Sequence, residues 1–164
     1  MKKIIIALSA LALTAATPKA NAAELKSNKY VLTNKAMGQG YENLVVNGDI
    51  DVILVEGTSN QLTMEGYQND LENVSLEVVG KTLYVNTKGA KNGKKPLVYI
   101  PVTKMKYLDI KGKSNVTTLG YLKTDIEVMI AAECHIDLKS TGKITISEAS
   151  TYDYQIEKWE TAKI

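Results

Sequence analysis

Glu133, Cys134 and His135 stand side by side in "IAAECHI", and they include the only cysteine and the only histidine of the chain. A cysteine beside a histidine could be a thiolate with its base, or half of a zinc site. Either chemistry needs further partners within hydrogen-bond or ligand reach, and there is no second cysteine or histidine to supply one. Adjacent strand residues also point to opposite faces, so Cys134 and His135 are expected to diverge. Asp49 and Asp51, in "NGDID", sit at i and i+2 of one strand face, roughly 7 Å apart, which overlaps the carboxylate separation of inverting glycosidases. A general acid, however, needs burial or a cleft to raise its pKa, and two aspartates on the outward face of an alternating strand are usually just solvated. The same stretch lacks the spaced oxygen ligands of a calcium loop. Lys88, Lys91, Lys94 and Lys95 form the one basic cluster; it could touch an anionic polysaccharide or lipid headgroup, but without an aromatic platform such a loop is more often only solvated. Tyr152, Tyr154, Ile156 and Trp159 could stack on sugar rings, although capping the apolar end of a repeat is the preferred role. These residues therefore predict no catalytic group, no metal ligand and no cofactor site.

The elements that carry them read as strands. Leu44, Val46, Gly48, Ile50, Val52 and Leu54 alternate with Asn47, Asp49 and Asp51 over eleven residues, the period of one half-buried strand. Val74, Leu76 and Val78, a Gly80-Lys81 turn, then Leu83 and Val85 predict a hairpin. The polar loop "NTKGAKNGKK" ends at Pro96, before a strand through Val98, Ile100 and Val102 whose outward Pro101 favours an edge or a boundary. From Leu108 the pattern becomes repetitive. The pairs Leu108/Ile110, Ile126/Val128 and Ile144/Ile146 recur at steps of eighteen, which is a rung period. The heptads "IKGKSNV" (110–116), "IAAECHI" (130–136) and "ISEASTY" (146–152) align without gaps. This places Cys134 opposite Ser114 and Ser150, and His135 opposite Asn115 and Thr151, so cysteine here is a near-isostere of a structural serine.

Met1 to Lys3, the apolar run Ile4 to Ala16, and Ala20-Asn21-Ala22 have the form of a secretory signal peptide over residues 1–22, with the mature chain beginning at Ala23. The run is short for a membrane span and no later stretch is long enough to be one. The lone cysteine is far from the position that lipid attachment requires. Removing residues 1–22 removes three lysines, leaving 17 basic against 18 acidic residues, a net −1. A near-neutral chain gives no electrostatic ground for nucleic-acid binding. The roughly 140 remaining residues, without an intramolecular disulfide, suit one domain living on its own hydrophobic core.

The runs "YENLVVNGDIDVILVEG", "LEVVGKTLYVNT" and "VYIPVTKMKYLDIKGKSNV", followed by the small-residue rungs, resemble the GIN domain, the auto-transporter adhesin head family of secreted bacterial proteins, over residues 40 to 156. The resemblance implies an all-β, right-handed β-helix-like solenoid with an N-terminal strand and hairpin region, and no established enzymatic activity. It implies an adhesin role by architecture alone. The family rung runs close to I-x-G-S-G/A-S-x-V/I; "IKGKSNV" keeps Gly112, Ser114 and Val116, whereas the two later heptads depart at the glycine. No site residue is carried over. The expected organisation is a signal peptide at 1–22, an N-terminal segment at 23–39 and a single solenoid domain at 40–164, either naturally short or truncated at its C-terminus. The expected function is an exported, non-enzymatic binding module in the periplasm or at the cell surface. A carbohydrate-active hydrolase or lyase, or a purely structural envelope protein, are the alternatives. A surface glycan or an envelope protein are the partner classes, and the terminal solenoid edge allows self-association.

Overall fold

A computed structural model describes residues 29–37, 40–91 and 93–148. The signal-peptide segment, Ser150, Thr151 and the group Tyr152, Tyr154, Ile156 and Trp159 lie outside the described residues. The chain forms β1 (Tyr30–Ala36), β2 (Asn43–Asn47), β3 (Asp51–Glu56), β4 (Gln61–Tyr67), the one-turn α1 (Gln68–Leu71), β5 (Val74–Val79), β6 (Thr82–Thr87), β7 (Leu97–Val102), β8 (Tyr107–Ile110), β9 (Asn115–Leu119), β10 (Ile126–Ile130), β11 (His135–Asp137) and β12 (Ile144–Glu148). These build two six-stranded sheets, ordered β1-β4-β7-β3-β9-β11 (sheet A) and β12-β10-β8-β2-β6-β5 (sheet B). From β6 onward the chain alternates between the sheets, and neighbouring strands within each sheet run parallel. Three antiparallel pairs, β1 with β4, β4 with β7 and β5 with β6, close one end.

Alternation decides the inside. Leu83, Leu44, Leu108, Val128 and Ile146 stack in register across sheet B, and Val98, Val52, Val116 and Ile136 across sheet A. Except for the half-buried Ile146 at the β12 edge, these side chains are essentially inaccessible. Each contributes about 1.5–3 kcal/mol of transfer free energy, so the ladder, repeated layer on layer, is what holds the sheets together.

The expected hairpin is present as β5 and β6, with Gly80 at φ +60 in its turn. The expected eleven-residue strand is instead two strands in different sheets, because the chain turns at Gly48, whose φ of +108 belongs to glycine. Both halves keep the same inward parity, so the alternation survives a corner that it does not reveal. Nor does spatial order follow chain order. The β2–β3 layer lies between β6–β7 and β8–β9, as β2 pairs with both β6 and β8 and β3 with both β7 and β9.

The repeat is corrected as well. Ile126 and Val128 lie opposite Ile144 and Ile146 at the expected step of eighteen, but Leu108 lies opposite Val128, a step of twenty. The first two heptads pair as expected, with Asn115 opposite His135 and Val116 opposite Ile136; the third is two residues out, since Ile130 faces Glu148. The surplus lies between Val116 and Leu122, because Val116 matches Ile136 and Leu122 bridges Ser140. There the chain bulges at Gly120 (φ +81), leaving Leu119 and Tyr121 exposed. A two-residue bulge keeps inward parity, so hydrophobic spacing alone cannot register it.

Candidate functional site

The residue types that suggested chemistry are separated by the fold. Cys134 packs against the core while His135, at the start of β11, is exposed and faces Asn115 across the sheet. Burial pushes the Cys134 thiol above its ordinary pKa, the opposite of an activated thiolate. Glu133 reaches the exposed Lys113 at 3.2 Å. Asp49 sits in the turn after Gly48 and pairs with Lys95 at 2.9 Å, whereas Asp51 begins β3 between Leu97 and Asn115. Among the described residues no three His, Cys, Asp or Glu side chains are grouped so that they could hold a metal ion.

Two of the four lysines of the loop, Lys94 and Lys95, have their ammonium groups engaged by neighbouring residues. Besides Asp49, Lys95 donates to the Lys113 carbonyl at 2.8 Å. The Lys91 amide donates to Asp70 at 2.9 Å, and the Lys94 ammonium sits 4.2 Å above the ring of Tyr30. That tyrosine belongs to a cluster on the outer side of sheet A. Its ring meets Tyr67 edge-on at 5.4 Å, and its hydroxyl donates to Glu65 at 2.8 Å; Glu65 also accepts from Tyr99 at 3.4 Å. Lys94 is held in its charged form chiefly by its hydrogen bond to Tyr30. Much of this cluster is engaged in holding β1 against β4.

The outer side of sheet B is arranged in rows. Tyr84, Val45, Asp109, Met129 and Ser147 are in register from β6 to β12, flanked by Thr82, Asn43, Tyr107, Glu127 and Thr145. Parallel strands about 4.8 Å apart with one outward residue per strand make such rows continuous. The Tyr107 phenol is raised in pKa, first by desolvation and then by the Asp109 and Glu127 carboxylates. An open groove of about 680 Å³, lined by Lys106, Thr124, Asp125, Glu127, Lys143 and Thr145, runs beside these rows. A smaller cleft of about 240 Å³ lies against Tyr41, Glu42, Lys81 and Pro101. There Glu42 bridges Lys106 at 2.8 Å and Lys81 at 2.7 Å, which hold its carboxyl down at about 2.

None of these outer-face groupings is marked out by the sequence. The outward parity of Tyr107, Asp109 and Lys111 opposite Leu108 and Ile110 is legible there. Which residues flank them is not, because parallel neighbours come from positions as much as 64 residues apart, as with Val45 and Asp109.

The family model described as "Putative auto-transporter adhesin, head GIN domain" matches residues 40–157, and the chain belongs to that family. No curated protein matches it in sequence. Solved structures of similar fold include a putative adhesin from Bacteroides fragilis, at 14% identity over 73% of this chain and 62% of that one, with a TM-score of 0.54. A putative adhesin from Parabacteroides distasonis is 19% identical over 74% of this chain and 57% of that one, with a TM-score of 0.57. A putative lipid binding protein from the same species is 13% identical over 80% and 61%, with a TM-score of 0.50. At such identities the structural likeness shows the fold alone, and the chain spans less than two thirds of the length of these structures.

Proposed function

We propose that the chain is an exported, non-enzymatic module of the bacterial envelope that binds its target on a flat sheet face, as an adhesin head does. The observation that carries this reading is the in-register outer face of sheet B, where aromatic, apolar, amide and acidic side chains form continuous rows across parallel strands. Such a surface is suited to recognition over many small contacts, whereas of the groups considered for catalysis Cys134 packs against the core and Asp49 and Glu133 are tied into ion pairs. Membership of the adhesin-head family supports the same reading. We further read the alternation of parallel strands between the sheets as winding of a right-handed β-helix-like solenoid. Export rests on the signal-peptide form of residues 1–22.

The test is a printed array of bacterial and host glycans probed with the purified mature chain, run beside adhesion to whole cells. Saturable binding without change to the bound polysaccharide supports a non-enzymatic module. Release of new reducing or unsaturated ends would make the protein a hydrolase or lyase, and absence of binding in both assays would leave a structural envelope protein. Mass spectrometry of the exported protein checks for an N-terminus at Ala23.

A further inference from the structure

Asp109 is a buried carboxylate on the outward side of a sheet. It retains 9% of its exposure; one oxygen pairs with Lys111 at 3.1 Å, and the other, Oδ1, is buried with no hydrogen-bond donor. An acceptor desolvated in this way is unfavourable until a donor reaches it. Its cross-strand neighbours are Val45 and Met129; Tyr107 lies two residues before it on β8, and Lys111 two residues after it, just past the end of that strand. Tyr84 follows Val45 in the same row. Amide and hydroxyl pairs border the row on both sides, Asn43 donating to Thr82 at 3.3 Å and Asn47 to Asn86 at 3.4 Å.

We propose that the outer face of β6, β2, β8 and β10 is a glycan-binding site in which the Asp109 carboxylate, rotated so that the enclosed Oδ1 turns outward, accepts a hydrogen bond from a sugar hydroxyl while Tyr84 and Tyr107 pack against the sugar rings. This rests on the binding-module reading and gives its ligand class. Three features select a glycan. Aromatic side chains supply apolar contact with a polar end, matching a ring with apolar C–H faces and hydroxyls at its rim. The missing partner of Oδ1 is a donor, and Lys111 already brings a positive charge to this carboxylate, so a neutral hydroxyl fits better than a second cation. The row extends over several strands at about 4.8 Å spacing, and it adjoins the groove beside Glu127 and Thr145, so a linear chain of sugars has a continuous track.

The experiment uses the same glycan array with the mature chain and three variants, Asp109→Val, Tyr84→Ala and, on the outer face of sheet A, Thr117→Val. Asp109→Val extends the apolar row between Val45 and Met129 and removes an unsatisfied acceptor, so its melting temperature is expected to hold or rise while glycan binding falls at least tenfold. Tyr84→Ala is expected to weaken binding similarly, with Thr117→Val unchanged. If Asp109→Val does not fold, Tyr84→Ala decides the matter by itself. Glycan binding that survives the sheet B substitutions, or that is lost in Thr117→Val instead, overturns this site while leaving a binding module. If no glycan binds, adhesion to cells whose glycans have been oxidised with periodate separates the two failures. Adhesion there refutes the glycan and keeps the module; adhesion nowhere refutes both.

Discussion

Gly112 lies directly on the backbone of Gly48, so that a Cβ at position 112 would run into the amide nitrogen, carbonyl oxygen and Cα of the layer beneath. Ser114, two residues on and buried, donates its hydroxyl to the same Gly48 carbonyl at 3.0 Å. Gly48 cannot retreat, because it is itself seated against Thr87. Gly112→Ala should therefore cost about 2–4 kcal/mol by overpacking. Gly57→Ala, where a Cβ would meet open space, should be within about 0.5 kcal/mol of the parent. Urea denaturation of the two variants checks the contrast, and equal stabilities would mean that the corner is not close-packed.

Cys134 occupies the place that Ser114 fills one layer away. Cys134→Ser should cost roughly 1 kcal/mol, and His135→Ala, on the exposed side, less than about 0.5 kcal/mol. Because burial raises its pKa, the thiol should react with a disulfide reagent at pH 8 far more slowly in the folded chain than in urea. Fast native-state labelling would show an accessible thiolate and reopen the question of chemistry at "IAAECHI".

Why the divergence of Cys134 and His135 is legible in the sequence, while the outer face is not, follows from the kinds of information involved. Divergence of Cys134 and His135 is a property of two adjacent residues, and the pairing of Asn115 with His135 follows from two heptads of equal length. The split of residues 44–54 at Gly48 is hidden because a corner residue in a left-handed conformation leaves inward parity intact. The bulge at Gly120 hides the register of the third heptad in the same way. Placement of β2 between β6 and β8 depends on long-range pairing, and with it goes every neighbour of Asp109 other than those on its own strand.

Glu42 ties together loops 39 and 64 residues away through Lys81 and Lys106. With its carboxyl pulled from an ordinary 4.5 to about 2, first by Lys106 and then by Lys81, the ionised form is favoured by folding. The stabilisation is therefore fully present above about pH 4.5 and is lost as pH falls toward and through 2. Glu42→Gln should flatten the stability profile over that window and leave the profile between pH 6 and 8 unchanged in shape. Urea midpoints measured from pH 7 down to pH 2 test this, and parallel acid limbs for parent and variant would refute it.

Tyr41 provides the alkaline counterpart. Its hydroxyl donates to the Pro101 carbonyl, and burial raises the phenol above its ordinary 10. Folding thus favours the protonated phenol, which stabilises the fold fully below pH 10 and less as pH rises beyond it. Tyr41→Phe leaves the Pro101 carbonyl without that donor and should cost about 1–3 kcal/mol at neutral pH, with a weaker dependence of stability on pH above 10. A variant as stable as the parent would mean that water replaces the hydroxyl freely.

Glu65 is expected to act as a clamp on β1. That strand pairs only with β4 among the described residues, and most of its side chains are exposed, so little apolar burial holds it. Its side-chain ties include the Tyr30 hydroxyl donating to Glu65 at 2.8 Å, the edge-on contact of Tyr30 with Tyr67, the Thr63 hydroxyl donating to Asn34 at 2.9 Å, the Lys94 ammonium over the Tyr30 ring, and the Lys35 ammonium donating to the Leu76 carbonyl at 3.2 Å. A hydrogen bond to a charged group is worth about 1.5–3 kcal/mol. Strands with few buried contacts open locally before the whole domain does. Glu65→Ala should therefore raise amide exchange across Tyr30–Ala36 by roughly tenfold or more, since about 1.4 kcal/mol corresponds to that factor. Exchange in β3 and β9, whose Val52 and Val116 are fully enclosed, should not change. If exchange instead rose uniformly across sheet A, β1 would open only with the domain as a whole, and its attachment would owe more to the backbone ladder with β4 than to Glu65.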